Sequence, residues 1–208
     1  MFAIAGWSAL VAAVATVAGA IFLVLFFTRG EPWGTRNDLA SIVLMLATVP
    51  VAVLMPDLQD DAPPGSTWLV GHVGTAWAVG GVGVVGMLGA AVSQGLLVLR
   101  IRSYRDLLPW TLGAGAIVGA WYVLVGVLGL AGGYPPAGGF PPLLALLAIA
   151  SGAGYVAIGY GYWRGNERHP ASVAGGLVLL VASTAFLTWV GIALTSDVGL
   201  LLARGPLA

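Results

Sequence analysis

Charged side chains are missing from six long stretches of this chain, and that absence constrains its fold more than any motif does. The stretches run Ile4 to Phe27, Leu39 to Met55, Trp68 to Leu99, Leu107 to Ala131, Pro142 to Trp163 and Ala171 to Thr195. A helix needs roughly 20 apolar residues to cross the hydrocarbon core, so each stretch reads as a transmembrane helix. The third is long for one span, which implies tilt or an extension into the interface. A β-barrel strand would alternate apolar and polar residues, and Leu177-Val178-Leu179-Leu180-Val181 does not. Charged residues make up 8% of the 208 residues, against about 25% in soluble domains. That composition excludes a soluble domain, a disordered chain and a nucleic-acid binder, since the basic and acidic residues balance at eight each. The expected fold is therefore all-α: a polytopic integral membrane protein, residues 1–208 forming one transmembrane helical-bundle domain of six helices.

The first stretch lacks the basic residues that open a secretory leader, so it is expected to be an uncleaved first helix. Arginines set the orientation, because short arginine-rich loops stay cytoplasmic. Arg29 and Arg36 lie between the first and second stretches, Arg100, Arg102 and Arg105 between the third and fourth, and Arg164 and Arg168 between the fifth and sixth. The opposite connections hold Asp57, Asp60 and Asp61, or no ionisable group at all in Gly132 to Pro142, and Arg204 near the C-terminus is the exception. The reading is three helical hairpins in the cell membrane, with both termini outside. Arg36-Asn37-Asp38-Leu39 and Arg105-Asp106-Leu107-Leu108 are alike at two helix starts, as helix capping alone would make them.

Glycine contributes 32 residues, mostly within the stretches. In a bilayer small residues four apart let helix backbones approach. The third stretch is densest in such pairs, among them Gly86 with Ala90, so it is expected to be the most enclosed helix. Ala5, Ala9 and Ala13 give the first helix a similar face.

The inventory of reactive groups is short. There is no cysteine and no lysine, so neither a thiolate nor a Schiff base is available. His72 and His169 lie at opposite ends of spans, roughly 30 Å apart, too far to share one haem. Ser151 has no histidine within reach to activate it. No enzymatic activity, no metal and no cofactor is expected. The expected function is binding of an apolar or neutral ligand or lipid, or membership of a membrane complex. The candidate ligand-binding residues are His72, Trp77, Trp121, Tyr155 and Trp189, placed around a pocket open to the outer side, with the segment Asp57 to Pro64 as a lid. Arg29, Trp33, Arg36 and Asp38 form a compact loop that is the candidate docking surface for a membrane protein partner or a second copy; the lipid bilayer is the other expected partner, and nucleic acid is not one.

Six helices in about two hundred residues, with the Ala5, Ala9 and Ala13 face, resemble in general plan the substrate-capture subunits of energy-coupling-factor vitamin transporters. That resemblance implies a substrate-binding component of a small-solute transporter whose first helix faces a transmembrane partner. The orientation is testable by labelling, since the chain has no native cysteine. A cysteine introduced at Asp60 should react with an impermeant reagent added outside intact cells, and reaction only from the cytoplasmic side would reverse the topology.

Overall fold

A computed structural model describes residues 1–59, 73–131, 142–165 and 168–196, and these are helical apart from short connections. The helices are α1 (Phe2–Arg29), α2 (Trp33–Gln59), α3 (Val73–Val98), α4 (Tyr104–Leu130), α5 (Pro142–Arg164) and α6 (Pro170–Thr195). All six are long and apolar enough to span a membrane. Their outward faces carry large apolar side chains such as Val14, Val85, Leu177 and Val181. A soluble protein would not leave so much contiguous apolar surface uncovered, and the bundle fits a multi-pass membrane protein.

Helix ends follow local chemistry. Ser103 caps α4, its hydroxyl accepting from the Asp106 amide at 3.3 Å and donating to the Asp106 carboxylate at 2.8 Å. His169 caps α6 through Nδ1, which accepts from the Ala171 amide, and Pro170 occupies the first turn where no amide partner is needed. At α2 the Glu31 carboxylate accepts from the amide and hydroxyl of Thr35. This explains why α2 begins at Trp33, six residues ahead of the uncharged stretch. Charge marks where the hydrocarbon ends, whereas a helix continues wherever its free amides are satisfied.

The principal contacts join each helix to its neighbours in sequence, and α6 returns to α1, so the six close into a ring. Glycine lies at most of these junctions. A Cβ built on Gly152 of α5 would stand 2.5 Å from the Gly119 carbonyl oxygen of α4, and one on Gly175 of α6 would stand 2.6 Å from the Gly154 carbonyl of α5. Gly86 of α3 faces the Val118 amide of α4, and α1 meets α6 where Gly6 faces Leu194 and Gly191 faces Leu10. The buried hydroxyls of Thr48, Ser93, Ser151 and Ser183 all donate to carbonyls of their own helix. Close backbone packing, rather than polar bonds between helices, thus carries most of the junctions. Ala5, Ala9 and Ala13 are buried inside the bundle.

The most enclosed helix is α4, not α3: half of the α4 span is buried and only a third of the α3 span. Gly81 and Gly95 of α3 have open space where a side chain would begin, so glycine content overstated its enclosure. A ring also gives each helix two flanking neighbours and leaves no central position to occupy.

These contacts separate two kinds of glycine. Gly152→Ala and Gly175→Ala should each lower stability by about 1–3 kcal/mol, because the methyl meets backbone that cannot rotate away. Gly113→Ala and Gly176→Ala, where nothing lies within 4 Å of the new carbon, should be neutral or stabilising by up to about 1 kcal/mol. Thermal unfolding in detergent reads the difference, and four equal values would show that the junctions are looser than described.

Candidate functional site

The ring is filled at mid-height and hollow at one end. Trp121 of α4 has 0% exposure and packs edge-on against Tyr122, with ring centroids 4.8 Å apart. Tyr122 in turn meets Phe186 of α6 at 5.6 Å and stacks on Tyr155 of α5 at 6.3 Å. Tyr155 also lines a cavity of about 1400 Å³. Below this aromatic cluster, α1 through α5 surround that space and α6 contributes no lining residue.

The cavity sits at the arginine-bearing end. Glu31 lines it from the α1–α2 connection and Gly34 from the start of α2, Arg100, Arg102 and Ser103 from the α3–α4 connection, and Tyr160, Tyr162 and Trp163 from the end of α5. Tyr104 donates to the Tyr162 hydroxyl at 3.2 Å, tying α4 to α5 at the rim. The Arg164 guanidinium lies over both Tyr160 and Trp163, and its Nε donates to the Tyr160 hydroxyl. Between the Gly115–Tyr155 contact and the Tyr104–Tyr162 bond, Leu108 and Leu112 of α4 face Val156 and Gly159 of α5 across the cavity. Val156 and Trp163 line it while being 65% and 76% exposed. The space therefore continues outward between α4 and α5 as a lateral crevice.

Polar side chains line it from α2 to α5, among them Thr35, Asn37, Asp38, Gln94, Thr111 and Tyr160. Asp38 and Ser41 lie one turn apart on α2, and Gln94 projects from α3. The Gln94 side-chain carbonyl oxygen is buried with no hydrogen-bond partner. Asp38 is half-buried and bonded to the side chain of Asn37. Among the described residues no three His, Asp or Glu side chains gather as metal ligands would.

The expected site residues are distributed unevenly over this structure. Tyr155 and Asp38 line the same cavity, Trp121 belongs to the core behind it, and Trp77 and Trp189 face outward at 60% and 46% exposure. His72 and most of the proposed lid, residues 60–64, lie outside the described residues. Of the proposed docking residues, Arg36 stacks over Trp33 at 4.4 Å and Trp33 packs against Phe22 of α1 at 5.9 Å, while Arg29 is exposed. The cavity lies at the opposite end from the pocket expected on the outer side. Gln94, Ser41 and Gly159 were not singled out as site residues; the available signal was that they carry polar atoms or empty space toward the end marked by the arginines.

The α3–α4 connection at the rim is a Schellman turn. The Ile101 amide donates to the Leu96 carbonyl and the Arg100 amide to the Leu97 carbonyl, with Arg100 at φ 56° where glycine is usual. The left-handed conformation costs an L-residue roughly 1–2 kcal/mol, and glycine surrenders about 0.5–1 kcal/mol of chain entropy. Arg100→Gly should thus raise stability by up to about 1 kcal/mol and Arg100→Ala should not; equal unfolding temperatures for the two variants would contradict this strain. No protein-family model, no curated protein and no solved structure matches this chain.

Proposed function

We propose that this chain is a multi-pass membrane protein, three helical hairpins with the arginine loops inside and both termini outside, which binds a small, largely apolar ligand and performs no chemistry on it. The cavity of about 1400 Å³ at the arginine-bearing end carries this reading. Ligand sites are concave, mostly apolar and supplied with a few convergent polar groups, and Asp38, Ser41 and Gln94 among Phe26, Leu97 and Tyr155 have that composition. The crevice between α4 and α5 offers an entry from the surface that would face lipid.

The alternative, a component of a small-solute transporter, receives less support. Its argument was the Ala5, Ala9 and Ala13 face of the first helix, and those alanines are buried inside the bundle, with α1 packed on α2 and α6. Docking through the α1–α2 connection is likewise weakly supported, because Arg36 lies over Trp33 and Trp33 packs on Phe22.

Gly159 provides the test. A Cβ there meets nothing within 4 Å and the residue lines the crevice, so Gly159→Leu adds bulk to the cavity without disturbing a helix junction. Excluding two methylenes of a ligand, at about 0.8 kcal/mol each, weakens binding roughly tenfold. The neutral fluorescent probe N-phenyl-1-naphthylamine should bind the purified protein saturably and the variant about tenfold more weakly. Unsaturable binding, or equal affinity for both proteins, would remove the ligand-binding reading.

A further inference from the structure

The cavity's polar groups define the guest more narrowly than its apolar walls do. Three carboxyls line it, Glu31, Asp38 and Asp106, against two guanidiniums, Arg100 and Arg102. Glu31 and Asp106 are engaged at helix starts, on Thr35 and Ser103. Asp38 has no such duty. It stands on the face of α2 that carries Ser41 into the same space, with only the Asn37 side chain bonded to it and no arginine beside it among the described residues. Both arginines are exposed on the α3–α4 connection, where water and salt screen them within about 10 Å. A half-buried carboxylate facing an apolar space without a cation is costly.

Gln94 lines the same cavity from α3, but its side-chain oxygen is buried away from the open space. Asp38 is therefore the acceptor a guest meets: a guest that satisfies a carboxylate must carry N–H or O–H donors, and the carboxylate favours a positive charge among them. Aromatic rings complete the match: Phe26 and Tyr155 line the space, and ring faces attract ammonium groups. The α4–α5 crevice runs about 10 Å along α5 from Tyr155 to Tyr162, at 1.5 Å per residue, and its leucine and valine walls suit an alkyl or aryl body.

Resting on the ligand-binding reading above, we propose that the occupant is a lipophilic ammonium ion, its N–H groups held by Asp38 and its apolar body lying in the crevice between α4 and α5. The guest enters from the lipid side with its charged end leading toward α2 and α3. An apolar molecule with no charge fills the same walls but leaves the carboxylate unmet, and an acid places its charge against Asp38.

Three amphiphiles of one chain length separate these cases. Decylammonium, decanol and decanoate would be titrated against N-phenyl-1-naphthylamine bound to the purified protein at neutral pH. Decylammonium should displace the probe at about tenfold lower concentration than decanol, and decanoate should be the weakest. Asp38→Asn should bring the ammonium and the alcohol to within about twofold of each other, while Asp38→Glu keeps the preference. Equal displacement by ammonium and alcohol in the unaltered protein, or a preference that survives Asp38→Asn, overturns the cation assignment and leaves the cavity as an apolar binding site. Failure of the probe itself to bind removes both readings.

Discussion

Helix backbones that touch through glycine are the contact on which this structure depends. Without water to drive apolar surfaces together, helices in a bilayer gain mainly dispersion energy from association, and that energy falls steeply with distance. Gly119 with Gly152, and Gly154 with Gly175, bring carbonyl oxygens of one helix against the α-carbons of the next. The buried hydroxyls of Thr48, Ser93, Ser151 and Ser183 bond to carbonyls of their own helices, so they satisfy themselves without selecting a neighbour. Among the cross-helix polar contacts, Ser172 to the Ile158 carbonyl and Tyr104 to Tyr162 lie toward the arginine-bearing end of α5. Removing the small residues would leave the ring with few other specific contacts.

The same contacts explain where the ring is solid and where it is hollow. Through Gly119, Gly126 and Gly152, α4 and α5 run close together, and Trp121, Tyr122 and Phe186 fill the middle. Past Gly115, α4 presents Thr111, Leu112 and Leu108 to Tyr155, Gly159 and Tyr162. Larger side chains on one helix face empty space beside Gly159 on the other. The aromatic cluster ends at Tyr155, and the space beyond is lined from α2 by Thr35, Asn37, Asp38 and Ser41 and from α3 by Gln94, Leu97 and Val98.

Much of the fold could be read from the chain because charge and apolarity are segregated so sharply along it. The six stretches anticipated six helices, with ends displaced by a few residues where Glu31, Ser103 and His169 cap them. Enclosure was harder to read, since a glycine spaced for packing, such as Gly95, looks the same in sequence as one that packs, such as Gly86. The site was read least well. Asp38 was noted as part of a surface loop, because it adjoins the arginines; only the start of α2 at Trp33 turns it inward. Trp121 and Tyr155 attracted attention as aromatics in mid-span, and only the three-dimensional arrangement separates the core filler from the cavity wall. His72, an ionisable residue within a span and near Trp77, drew the expected pocket to the end where α3 begins, whereas the cavity lies at the arginine-bearing end.

The closing of α6 onto α1 also has a bearing on assembly. Every other principal junction joins consecutive helices, so it can form as soon as the later of the two has been synthesised, with little loop entropy to overcome. The α1–α6 junction must wait for the last helix. Until then the small-residue face of α1, Ala5, Gly6, Ala9 and Ala13, has no α6 to cover it. A nascent chain paused before α6 is an open arc rather than a ring, with both edges available to a chaperone or to a neighbouring chain.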